Sequence, residues 1–125
     1  MRLADSGWLA TRKISGLSSG EGLIEAVADP APAQDGGPTV GGVADKRLFV
    51  VEQEFSRVLK VAGRDGAIVS EVLRQAWDED NLATMTRKPL KATGAHIGVV
   101  GHITVAELRQ RLTSKIGRAS CRERV

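Results

Sequence analysis

The stretch Leu48-Phe49-Val50-Val51-Glu52-Gln53-Glu54-Phe55 constrains the fold more than any other part of the chain. Four apolar residues, two of them β-branched, run without interruption and then meet two carboxylates. That is how a strand covered on both faces of a parallel sheet reads when its carboxyl end opens into a site. In open α/β sheets, ligands bind in the crevice beyond the carboxyl ends of the strands, so Glu52 and Glu54 become the first candidates for chemistry. The competing reading is that both acids begin the next helix and favour its positive end.

The pattern of strand end, polar residue and helix start recurs on either side of this stretch. Residues 1–11 show no clear period, and Arg12 to Leu17 reads as a weak strand. It runs into Gly16-Leu17-Ser18-Ser19-Gly20-Glu21-Gly22-Leu23-Ile24, a Gly/Ser turn with free N–H groups, an acid at the bend, and an apolar face formed by Leu23, Ile24 and Val27. This is not a phosphate loop of the G-x-x-x-x-G-K-[ST] kind, because the lysine is missing and the spacing differs. A plain connecting turn is the alternative for it. Residues 29–44 hold three of the four prolines and four of the glycines, as expected of a long surface loop.

After the central strand, Phe55, Val58, Leu59 and Ala62 fall at helical spacing, with Gly63 placed to end the helix. Arg64-Asp65-Gly66 reads as a turn. A second helix puts Val69, Val72, Leu73, Ala76 and Trp77 on one face. Leu82 to Met85 suits a short edge strand. Arg87, Lys88 and Lys91 then form a basic loop, open to reading as a phosphate contact or as a solvated turn. Ala95 to Ile103 has the small, β-branched interior of a second covered strand and delivers His102 to its carboxyl end. Thr104-Val105-Ala106-Glu107 is a capping box opening a helix with Val105, Leu108 and Leu112. A parallel sheet with helical crossovers accounts for the repetition.

With 125 residues the chain can form one small domain but is short for a complete nucleotide-driven motor. The net charge of +3 would suggest nucleic acid or anionic surfaces, yet most of the excess lies in the last ten residues, and the body is nearly neutral. Those residues, 116–125, have no apolar period and hold the single cysteine, Cys121. They resemble the translation of a widely used DNA-sequencing adapter, which makes them a non-native tail to set aside from fold reasoning; a genuine basic tail that binds nucleic acid is the alternative. On that reading the natural gene continues past about Lys115, and residues 1–115 form one partial domain. Without Cys121 there is no disulfide framework or thiolate metal site, as in cytoplasmic proteins. No apolar run approaches the roughly 20 residues of a membrane span, and Met1 to Ser6 is too polar for a signal peptide.

Three polar strand ends thus follow in the order Glu21, Glu52/Glu54, His102. In nucleoside triphosphatases a water-orienting carboxylate, an acid near magnesium and a polar sensor of the terminal phosphate occupy neighbouring strand ends. Here the chain resembles a family of RecA-like P-loop ATPase domains, catalogued as a domain of unknown function in phage, plasmid and integrated-element proteins of the primase-helicase type. The resemblance covers most of residues 14–113. It is carried by residues 16–24, by Asp45-Lys46-Arg47 with the strand that follows, by Leu73-Arg74-Gln75-Ala76-Trp77-Asp78, and by Ala92-Thr93-Gly94-Ala95-His96 through Gly101-His102-Ile103-Thr104.

It implies a partial RecA-like three-layer α/β domain with a mostly parallel sheet, in which the strand of the phosphate-binding loop is missing. It implies Glu21 as the water-activating base, Glu52 as the Walker B acid near Mg2+, with the division of roles between Glu52 and Glu54 left open, and His102 as the sensor. Ser19 and Gly20 are then candidates for nucleotide contact, and Arg87, Lys88 and Lys91 for nucleic acid. ATP and Mg2+ are the expected cofactors, DNA and a possible homo-oligomer the expected partners, all of the parent protein, since this fragment should bind nucleotide poorly. A non-catalytic structural or nucleic-acid-binding α/β domain is the alternative.

Overall fold

The computed structural model describes residues 6–33, 35–64, 67–87 and 89–112. The tail at 116–125 and Lys88 lie outside them. The fold is mixed α/β around a small parallel sheet. Its strands are β1 (Lys13–Ile14), β2 (Arg47–Glu52) and β5 (His96–Gly101), in the order β1-β2-β5. Leu48 lies beside Ile97 and Val50 beside Val99, so the two apolar strands run parallel and adjacent, as the sequence requires.

Helices fill the crossovers: α2 (Gly20–Glu25) between β1 and β2, then α3 (Phe55–Ala62) and α4 (Val69–Asp78) after β2. A two-stranded antiparallel hairpin, β3 (Leu82–Ala83) and β4 (Lys91–Ala92), precedes β5, and α5 (Val105–Leu112) follows it. Period-2 alternation sends Leu48, Val50 and Glu52 to one face of β2, where they are buried, while Phe49 and Val51 on the other face stay half-buried. The buried face meets Leu23, Ile24 and Val27 after the first turn, Val58 of α3, and Val69 and Val72 of α4. Each such side chain taken from water contributes roughly 1.5–3 kcal/mol.

Local chemistry sets the helix ends. Ser19 caps α2, its Oγ accepting the Gly22 N–H at 3.0 Å. Thr104 Oγ1 accepts the Glu107 N–H at 3.2 Å and donates to its carboxylate at 2.9 Å, the expected capping motif. At the far end of α2, Lys46 Nζ donates to the Val27 and Ala28 carbonyls at 2.9 Å and pairs with Asp29 at 2.7 Å. Thr93 also donates to Asp29, through its N–H and its hydroxyl. The segment after Asp29 is closed by an antiparallel bridge between Ala31 and Val40.

The structure departs from the sequence reading in several places. Residues Ser6–Arg12 form a helix, α1, which packs on β1 and β2; the weak strand expected from Arg12 shrinks to two residues. Trp8 fixes α1 by donating from Nε1 to Asp45 at 2.8 Å beneath the guanidinium of Arg47, 5.2 Å from the ring centre. A single aromatic with polar partners leaves no periodic trace. Neither apolar strand is covered on both faces. β5 is a sheet edge among the described residues, with Val99 37% and Val100 42% exposed. Trp77, expected on the buried face of α4, is 84% exposed, because the core is met by Val69 and Val72 one and two turns earlier. No residue of α5 is buried, Leu108 being half-covered.

Candidate functional site at the carboxyl ends of the strands

Because the three strands are parallel, their carboxyl ends share one edge of the sheet. The start of α2 brings Glu21 to that edge, the end of β2 brings Glu52 and Glu54, and the end of β5 brings His102. The two strand ends are tied together by main-chain bonds: the His102 N–H donates to the Glu52 carbonyl at 2.8 Å, and the Phe55 N–H to the His102 carbonyl at 2.9 Å. Phe55 lies over Gly101 so closely that a Cβ there would stand 2.5 Å from the ring. Glycine at 101 is what lets the first turn of α3 close on β5.

Glu52 and Glu54 then part company. Glu52 is 2% exposed. One of its carboxylate oxygens accepts the buried Leu17 N–H, and the other lies 3.5 Å from Arg57 Nη2. Glu52 therefore anchors the turn between β1 and α2 to the end of β2. Glu54 sits at the N-cap of α3, exposed, with no side-chain capping bond. It does begin the helix, as the competing reading had it, whereas Glu52 closes the strand.

Beyond these residues opens a cleft of about 760 Å³. Glu54, Arg57 and Lys60 line it from α3, His102 from the end of β5, and Glu107 and Arg111 from α5. The cleft is thus lined by three cations, Arg57, Lys60 and Arg111, and two acids, Glu54 and Glu107, with exposed His102 among them. Arg57 and Lys60 are site residues that the sequence reading missed. They lie at i and i+3 on the polar side of α3, which reads as a solvated helix face until its neighbour across the cleft is known.

The other candidates are placed as follows. Glu21 is exposed in the first turn of α2, at the same sheet edge but not among the residues lining the cleft. Ser19 spends its hydroxyl on the helix cap. Gly20 is buried, and a Cβ there would meet Val72 Cγ2 at 2.8 Å and Ile68 at 2.9 Å, so it is a contact between α2 and α4. Arg87 is exposed in the turn of the β3–β4 hairpin. Lys91 opens β4, and its carbonyl accepts the Asp29 N–H at 2.7 Å. Since Asp29 is bound by Lys46 just before β2, Lys91 stands at the amino end of the sheet, away from the cleft. Lys91 and the strand-end acids are thus not brought together, and Lys88 lies outside the described residues.

The fit of a magnesium ion was tested on Glu52, the acid expected to hold it. Both its oxygens are engaged and the residue is buried, so it presents no free oxygen to a cation. Among the described residues no three His, Cys, Asp or Glu side chains are grouped to hold a metal. As arranged, these residues do not fit a protein-held Mg2+.

Two carboxylates at the opposite end of the sheet are strongly acidic. The Lys46 ammonium and the Thr93 donors hold Asp29 down at about 2, and the Arg47 fork and N–H keep Asp45 well below the usual carboxylate range. Both serve to fasten loops to β2. No helix among the described residues is long and apolar enough to cross a membrane. No family model, curated protein or solved structure matches the chain.

Proposed function

We propose that the chain is part of a nucleotide-hydrolysing, DNA-processing ATPase of a mobile element, of the kind associated with helicase and primase modules, acting in the cytoplasm. The supporting observation is the shared edge where Glu54 and His102 follow the ends of adjacent parallel strands and line a cleft with Arg57 and Lys60. Ligands of open α/β sheets bind there, and phosphoryl transfer needs positioned charge at that edge more than covalent chemistry. In this reading the sheet is part of a RecA-like layer. ATP with Mg2+ is held mainly by a phosphate-binding loop outside residues 1–125, Glu21 or Glu54 orients the attacking water, and His102 reports the terminal phosphate to the α5 side. DNA is the partner, with Arg87, Lys88 and Lys91 as phosphate contacts. The 125-residue chain alone is inactive.

One observation favours a second reading. Glu52 is wholly engaged by Leu17 and Arg57, as expected of a structural clamp in a domain that keeps the sheet without the chemistry. ATP turnover by a protein extended through a Gly-rich loop with Lys-[Ser/Thr], with and without single-stranded DNA, separates the two.

A further inference from the structure

Glu52 closes β2 as a buried carboxylate, and its surroundings decide which cation it takes. Among the described residues Arg57 alone is a cation within ion-pair distance of it, with Nη2 3.5 Å from Oε2. The same guanidinium lies along the turn between β1 and α2, Nη2 being 3.9 Å from where a Cβ of Gly16 would stand. Mg2+ binds carboxylate oxygen at about 2.0–2.1 Å and keeps several of its waters. A residue 2% exposed leaves no room for those waters, and a metal on Oε2 would crowd a guanidinium already beside that oxygen. The poor fit of a metal at Glu52 is therefore one of occupancy: the chain's own cation holds the position.

Arg57 also reaches the cleft. Its side chain is 51% exposed and lines that space, and Lys60 lines it one turn later on the same side of α3. Nothing but Glu52 engages the Arg57 fork among the described residues, and no carboxylate among them lies within ion-pair distance of Lys60. Of the two acids in the lining, Glu107 is held by Thr104 in the capping box and Glu54 is exposed.

We infer that Arg57 is the anion-recognising residue of the cleft, a permanent cation held in place by Glu52, which offers a phosphoryl group the positive charge that a metal would otherwise supply beside this acid. The inference rests on reading this edge as a phosphate site. Glu52 is then a positioning residue and not a metal ligand. A guanidinium keeps its charge at every working pH, and its planar fork matches the oxygens of a phosphate, while Lys60 adds a second charge for a dianion. Recognition of the phosphoryl group by this pair needs no divalent ion, and any Mg2+ that accompanies a nucleotide is held elsewhere.

Titration of the isotope-labelled 125-residue chain with inorganic pyrophosphate in the presence of EDTA, followed by NMR, tests this. The expected result is saturable shifts at the amides of Arg57, His102 and Thr104. Arg57→Gln should lower the affinity at least about 10-fold, or about 1.4 kcal/mol, whereas Arg74→Gln, which removes a cation of α4 outside the cleft, should leave it unchanged. In Glu52→Gln, which still accepts the Leu17 N–H, the fold should be kept while the Arg57 Nε signal loses order by heteronuclear NOE. Mn2+ alone should not selectively broaden the Leu17 and Gln53 amides. Lack of saturable binding in EDTA, equal affinity of the parent chain and Arg57→Gln, an unaltered Arg57 Nε in Glu52→Gln, or Mn2+ broadening centred on Glu52 each overturns the inference. Arg57-dependent pyrophosphate binding by an upstream-extended protein that has no ATP turnover would uphold it and sink the hydrolysis reading; ATP turnover untouched by Arg57→Gln would do the reverse.

Discussion

Gly20→Ala asks whether the glycine of the first turn is there for packing or for a ligand. An added Cβ would stand 2.8 Å from Val72 Cγ2 and 2.9 Å from both Ile68 Cγ1 and the Ile68 carbonyl oxygen, and the last of these is main chain that cannot rotate away. Overpacking of this kind costs about 1–3 kcal/mol, while replacing a helical glycine by alanine recovers roughly 0.5–1 kcal/mol, so the net loss should be about 0.5–2 kcal/mol. Gly22→Ala in the same helix is the control. Its Cβ would lie 3.1 Å from Ser19 Oγ, the cap acceptor of this helix, a contact that a small displacement relieves without loss of the cap bond, so its net change should be within about 0.5 kcal/mol. Urea unfolding followed by circular dichroism gives both values from the midpoints if the slopes agree. A Gly20→Ala protein as stable as the parent chain would refute the packing role and return Gly20 to the list of residues kept for close approach to a ligand.

Two further outcomes follow from side-chain geometry. Glu52→Ala strands the buried Leu17 N–H and should cost about 1–3 kcal/mol in the same unfolding assay, with Glu52→Gln closer to the parent because its carbonyl can still accept that bond; equal stability of all three would show that the clamp is absent. Asp29 is depressed in the folded chain, so its contribution is fully present above the ordinary carboxylate value of about 4 and is lost as pH falls toward about 2; Asp29→Asn should flatten that part of the stability–pH curve, and an unchanged acid limb would count against the Lys46–Asp29–Thr93 link.

The frame of this fold is legible where the signal is local. Leu48 to Val51 and Ile97 to Val100 read as strands because their apolar runs are bounded by polar ends, and Thr104 with Glu107 marks the start of α5 by its own hydrogen bonds. What failed depended on neighbours. Val99 and Val100 have the composition of a covered strand, and composition does not reveal that β5 has a strand on one side only among the described residues. Trp8 anchors α1 through Asp45, 37 positions away, a contact with no periodic trace. At the site, the acids were found because strand ends are conspicuous, but the division between a buried Glu52 and an exposed Glu54 turns on the Leu17 N–H and Arg57, which only the folded chain brings together. Lys60 was missed for the same reason, and Gly20 was assigned to a ligand because its neighbours on α4 are nearly 50 residues distant in sequence.

The proposed activity stands most directly on steady-state ATP turnover by a protein that continues upstream through a Gly-rich loop bearing Lys-[Ser/Thr]. It should hydrolyse ATP faster when single-stranded DNA is added, while residues 1–125 alone do not. Glu21→Gln should slow it by roughly 10²-fold or more, the scale of general-base catalysis, with Glu54→Gln taking that place if Glu54 is the base. An extended, folded protein with no ATP turnover, or one in which neither Glu21→Gln nor Glu54→Gln lowers the rate, would contradict the assignment of this edge of the sheet to nucleotide hydrolysis.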